Sequence, residues 1–120
     1  MVKAIGVDMV KILRVTRILQ STHRDRFLNK VLHKRELESL ARSKPERVLQ
    51  FVAGSWAAKE AVFKTLDRKD QLRFQFRDWY RYNIEGKPNI SRVKPLSNDR
   101  FLLSISHDGD HLIATVLRLE

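Results

Sequence analysis

The chain has 120 residues, a length that suits one small domain, and its 24 Lys plus Arg against 14 Asp plus Glu give a formal net charge of +10. Hydrophobic residues make up 42% of it, enough for a packed interior, which excludes a disordered basic tail. There is no cysteine, which excludes disulfides, a thiolate nucleophile and thiolate-held zinc.

No apolar run approaches the ~20 residues of a membrane span, and the N-terminus lacks the apolar core of a secretory signal. The excess of base calls for an acidic partner: nucleic acid, a phosphate-rich ligand, anionic lipid or an acidic protein surface.

In chain order, Val2 to Val7 reads as a short apolar strand broken by Gly6, with Asp8 at its end. From Val10 to Leu19 the apolar residues recur at near-helical spacing with Lys11, Arg14 and Arg17 on the other side, an amphipathic helix with a cationic face. Phe27 to Leu40 reads as a second helical region broken near His33. Pro45 suits a helix's first turn, where its missing amide proton costs nothing, and the broadly apolar Pro45 to Leu66 reads as a central buried helix. After Asp67 the pattern shifts to strands: alternating Leu72, Phe74 and Phe76, then Trp79 to Ile84, with Gly86-Lys87-Pro88 as a turn. Phe101 to Ser106 and Leu112 to Leu119 flank His107-Asp108-Gly109-Asp110 and read as a C-terminal hairpin. The order predicts one α+β domain over residues 1–120, a long central helix packed on an antiparallel sheet.

The central helix carries Glu60 and Lys64, four residues apart and so on one face, able to meet one ligand with a carboxylate and an ammonium. Taken alone, they read as a surface pair worth about 0.3–0.5 kcal/mol. Asp8 reads alone either as a cap on the next helix or as a functional carboxylate. Together, Asp8 and Glu60 offer two hard oxygen ligands from distant segments, a donor set for Mg²⁺ that completes its shell with water and phosphate. His107 reads as a turn histidine or a phosphate contact, and Trp79-Tyr80-Arg81-Tyr82 as core aromatics or a single-strand nucleic-acid surface.

Four blocks in sequence resemble a known family. Gly6-Val7-Asp8-Met9-Val10, the run Phe51 to Lys64 containing Trp56-Ala57-Ala58-Lys59-Glu60-Ala61, Gly86-Lys87-Pro88 and Ser104-Ile105-Ser106-His107 look like those of the small 4′-phosphopantetheinyl transferases, the holo-acyl-carrier-protein synthases. The resemblance implies that fold, and transfer of 4′-phosphopantetheine from coenzyme A to a serine of apo-acyl carrier protein, releasing adenosine 3′,5′-bisphosphate. It implies Asp8 and Glu60 as Mg²⁺ ligands and Lys64 on the coenzyme A phosphates. His107 and Ser106 fall to the nucleotide end, Pro88 to the adenine site, and Lys11, Arg14 and Arg17 to docking of the acidic carrier protein. It also implies a homotrimer with sites between subunits.

The departures are Lys11 where bacterial members commonly have Glu, Ser55 where an arginine is frequent, and Thr65 to Asp70 in place of a Gly-rich stretch. Arg47 or Arg68 is a substitute base for Ser55. Trp56 and the Ser-His-Asp-Gly-Asp ending are similar to the fungal mitochondrial branch. The absence of cysteine and of a Gly-x-Ser-x-Gly elbow fits an attacking oxygen that arrives on the protein substrate. A metal-bound water, Glu60 and Lys64 all stand as acceptors of its proton. The alternatives are a basic nucleic-acid-binding module and an inactive family-like partner subunit. The acid-free, amphipathic Val10 to Arg24 segment looks like a mitochondrial address, although cleaving it would remove Asp8; the expected location is mitochondrial, with cytoplasmic as the alternative.

Overall fold

The computed structural model describes residues 1–120. Five strands form one antiparallel sheet in the order β1-β5-β4-β3-β2: β1 Val2–Lys11, β2 Trp79–Ile84, β3 Lys87–Arg92, β4 Arg100–Asp108 and β5 His111–Leu119. Between β1 and β2 run the helices α1 Ile12–Leu19, α2 Arg24–Val31, α3 Lys34–Leu40, α4 Pro45–Thr65 and the single turn α5 Arg68–Gln71, followed by a 3₁₀ turn at Phe76–Asp78. This is the α+β arrangement the sequence predicts.

Helix α4 lies across one face of the sheet, and its small residues are why it lies so close. Ala53, Ala57, Ala58 and Ala61 are fully buried, with Val52 and Val62, against Ala114, Val116 and Leu112 of β5. Gly6 of β1 faces the same seam: a Cβ there would collide with the Ala61 carbonyl and press on Thr65. The end of α4 is fastened by Arg118, whose Nη1 donates to the Thr65 carbonyl at 3.0 Å while Nε donates to Asp99 at 2.7 Å.

Several expected boundaries move. Strand β1 is not broken at Gly6 and continues through Lys11, so Asp8 stands inside the strand rather than at its end, and α1 begins at Ile12. Gly6 marks a close helix approach, which a sequence pattern shares with a strand break. Leu72, Phe74 and Phe76 do not form a strand. Leu72 is exposed, while Phe74 packs on Phe63 and Phe76 with ring centroids 5.3 and 5.2 Å apart, so the alternation is aromatic filling around a turn. Strand β3 is an addition, since Lys87 and Pro88 open a strand instead of completing a turn. The turn is Glu85-Gly86, with φ of 51° and 79°, the two positive values that a tight hairpin of this kind needs. The break between α2 and α3 falls at Leu32 and His33 as expected. The β4–β5 hairpin is also as expected, with a tighter turn that leaves His107 and Asp108 in the strand.

Candidate active site

Asp8, Glu60 and Lys64 come together where β1 passes under the last turns of α4. Lys64 Nζ donates to the Val7 carbonyl at 2.7 Å and to Asp8 Oδ1 at 3.3 Å. Its partner is therefore β1, and no Glu60–Lys64 ion pair forms, which sets aside the surface-pair reading. The helix-cap reading of Asp8 is set aside too: the residue before α1 is Lys11, and no side chain caps that helix.

Glu60 is partly buried, and its carboxyl is pushed above the usual range, chiefly by burial and next by the negative charge of Asp8; Lys64, Arg14 and Lys30 pull it back. Two carboxylates are thus held close enough to repel, beside a ring of cations. That observation fits a divalent cation. No cluster of three or more His, Asp or Glu side chains occurs in the chain, so Mg²⁺ here would take two protein oxygens and complete its shell from water and a phosphate ligand.

The ring of cations is itself positioned. The Arg14 guanidinium lies 4.9 Å from the Trp56 ring centre, and Trp56 is in turn edge-on to Phe27 at 5.1 Å. Helix α1 is tied to the hairpin tip by the bond from Ile12 N to the Asp110 carbonyl at 2.8 Å. Lys11, Arg14 and Arg17 are all exposed there. Lys30 was not legible as a site residue; only the packing of α2 beside α4 brings it to Glu60.

Other expected site residues lie apart. His107 shares the helix-facing side of the sheet but stands two strands over and one side-chain step beyond the Asp8–Ala114–Ile105 row, about 12 Å away by strand spacing and rise. Pro88 is in β3, three strand spacings or about 14 Å across from β1. Ser106 pairs with Ile113 and points to the opposite face from His107. One chain therefore assembles Asp8, Glu60 and Lys64 and does not bring Pro88, Ser106 and His107 to them. None of the principal surface clefts includes Asp8, Glu60 or Lys64.

Within the Trp79 to Tyr82 run, Trp79 and Arg81 are structural, whereas Tyr82 is exposed and Tyr80 half-buried. Trp79 is 2% exposed and packed between Phe74 and Phe101. Arg81 donates its backbone N–H to Glu36 at 3.1 Å and lies over Phe51 at 4.5 Å. Glu36 in turn accepts from Lys59 Nζ at 2.6 Å, and Lys59 also donates to the Val31 carbonyl at 2.7 Å. Both charges are buried, and burial holds the Lys59 ammonium below the usual lysine range against the opposing pull of Glu36. This pair joins α3 to the middle of α4, one residue before Glu60.

The model of the 4′-phosphopantetheinyl transferase superfamily matches residues 4–116. A holo-[acyl-carrier-protein] synthase of Wolbachia pipientis is 36% identical over 98% of this chain and 97% of its own. One from Anoxybacillus flavithermus is 32% identical over 98% and 95%. The crystal structure of the Bacillus anthracis synthase, in complex with CoA (3′,5′-ADP), superposes with a TM-score of 0.80 at 28% identity, covering 100% of this chain and 98% of that one. By its sequence along nearly its whole length and by its fold, the chain belongs to the 4′-phosphopantetheinyl transferase superfamily.

Proposed function

We propose that this chain transfers 4′-phosphopantetheine from coenzyme A to a serine hydroxyl of an apo acyl carrier protein, leaving adenosine 3′,5′-bisphosphate. The observation that carries the reading is the meeting of Asp8, Glu60 and Lys64, 56 residues apart at the extremes, in a chain similar over its length to named holo-acyl-carrier-protein synthases. The complex of the Bacillus anthracis relative with coenzyme A supports the co-substrate.

In this reaction the serine hydroxyl gives its proton to a water or to Glu60, and its oxygen bonds to the phosphorus that bears the pantetheine arm as that phosphorus parts from the bridging oxygen, which leaves on adenosine 3′,5′-bisphosphate. The nucleophile belongs to the substrate, in keeping with a chain that has no cysteine. Asp8 and Glu60 would hold Mg²⁺, which supplies a Lewis acid to the pyrophosphate and its leaving oxygen. Lys64 acts as a cation. Two of its three N–H groups go to Val7 and Asp8, which fixes the ammonium and leaves the third for a phosphate oxygen. Arg14 and Lys30 add positive charge at the rim.

His107, Ser106 and Pro88 serve the nucleotide end, and their separation from Asp8 within one chain supports a homotrimer with sites between subunits. An apolar stripe on the outer face of the sheet, Ile5, Val7, Met9, Leu102 and Ile113, supports the same assembly. Lys11, Arg14 and Arg17 dock the acidic carrier. Trp56 and the Ser106-His107-Asp108-Gly109-Asp110 segment support a place in the fungal mitochondrial-like branch and in mitochondria; recovery of the tagged protein in the cytoplasmic fraction instead would reject that location.

The test is nucleotide release. Incubated with coenzyme A and Mg²⁺, the protein is expected to liberate adenosine 3′,5′-bisphosphate only when an apo carrier with its serine is present. Release without the carrier, or no release with it, contradicts the reading.

A further inference from the structure

Arg68, Lys69, Arg73, Arg77 and Arg81 crowd one stretch of the sequence, and the structure divides them. The Arg81 guanidinium is taken up by the Phe51 carbonyl and ring, whereas Arg77 lines a cleft of about 400 Å³ together with His33, Asp78, Arg92, Val93 and Lys94. The cleft sits at the end of the β2–β3 ladder where Trp79 pairs with Arg92. Asn89 pairs with Leu102 and Asp8 lies in the row of Ile105, so Arg92 is about six residues along and three strands across from Asp8. That is roughly 25 Å by strand rise and spacing.

Four of the residues that line it, His33, Arg77, Arg92 and Lys94, carry side-chain hydrogen-bond donors. Three cations face one carboxylate, and Asp78 is already engaged by Arg92 Nη2 at 3.6 Å. The other terminal nitrogen of Arg92 donates to the Lys94 carbonyl at 2.7 Å, and Arg77 Nε donates to Gln75 Oε1 at 3.0 Å, so both guanidinium planes are set in place. His33 Nδ1 accepts from Arg35 N at 3.0 Å, which puts the proton of the neutral ring on Nε2 as one more donor, and the ring is held 5.3 Å from that of Tyr80. A concavity of small-ligand size that gathers like charges and fixed donors is relieved by an anion with several oxygens, which guanidinium groups meet in pairs.

We propose that the His33–Arg77–Arg92–Lys94 cleft is a second anion site, separate from the transfer site, for a ligand carrying a phosphate or diphosphate group. Free phosphates and nucleotide phosphates share that chemistry, and the experiment separates them. Titrating the ¹⁵N-labelled protein with inorganic pyrophosphate is expected to move the Arg77, Arg92 and His33 resonances saturably. The double variant Arg77→Gln with Lys94→Gln, both solvent-facing changes, is expected to weaken that binding about tenfold or more, while any shift at Lys64 stays as in the parent. Adenosine 3′,5′-bisphosphate is titrated alongside: tighter binding than pyrophosphate at these residues supports a nucleotide ligand, equal binding a free anion. Shifts confined to Asp8 and Lys64, or a double variant that binds pyrophosphate as tightly as the parent, would overturn the proposal.

Discussion

Gly6 and Glu60 are the two residues on which the site geometry turns most sharply. Gly6 carries no Cβ because the Ala61 carbonyl occupies that place, and the resulting closeness of β1 and α4 is what lets Lys64 reach both the Val7 carbonyl and the Asp8 carboxylate. Gly6→Ala forces the two elements apart; we expect a loss of about 1–3 kcal/mol in denaturant unfolding, of the order seen for overpacked cores, and a larger proportional loss of transfer. A variant with parental transfer rates would show that the close approach is not needed. Glu60 gives the opposite pairing of effects. Its carboxyl is pushed up by burial and by Asp8, so Glu60→Gln removes a repulsion and is expected to leave Tm unchanged or raised while transfer falls at least about hundredfold. A fall in Tm that tracks the fall in activity would mark Glu60 as structural.

At the scale of elements, α4 is set by charges its sequence pattern does not announce. The periodicity of Pro45 to Leu66 showed a long buried helix, and the Glu60–Lys64 spacing showed a shared face. The buried Lys59, by contrast, belongs to a different partner, Glu36 of α3, 23 residues away. Lys59→Met leaves Glu36 buried without its cation and should cost about 3–5 kcal/mol in thermal or urea unfolding. The double change with Glu36→Gln is expected to recover much of that; if it recovers none, the pair is not the source of the loss. Here the limits of sequence reading become physical. Local signals carried α1, α4, β2 and the C-terminal hairpin, because periodicity, Pro45 and Gly109 act within a few residues. The misread strand at Leu72 to Phe76 and the missed β3 depend on contacts with Phe63 and β4 that no local window contains. The same distinction holds for the site: Asp8, Glu60 and Lys64 were legible through motif spacing, whereas Lys30, Glu36 and Arg118 act through tertiary packing.

The whole molecule presents two unlike surfaces. One carries the cations of α1 and α2 beside the Asp8–Glu60 patch; the other is the bare outer side of β1, β5 and β4, where Ile5 is 61% and Met9 60% exposed. Exposed apolar residues in one stripe are costly to leave in water, and in the proposed homotrimer further copies of the chain would cover them and bring Pro88, Ser106 and His107 to a neighbour's site. Met9→Lys is accordingly expected to lower the mass seen in sedimentation from trimer to monomer with far-UV circular dichroism unchanged, and to depress transfer. A fully active monomer would refute the shared site. The central claim, that Asp8, Glu60 and Lys64 serve phosphopantetheine transfer, is tested most directly by the intact mass of an apo carrier protein after incubation with coenzyme A and Mg²⁺. The account predicts a single phosphopantetheine added to its serine by the parent chain and almost none by Glu60→Gln or Asp8→Asn at equal fold content. An unmodified carrier with the parent chain, or full modification by either variant, would contradict it.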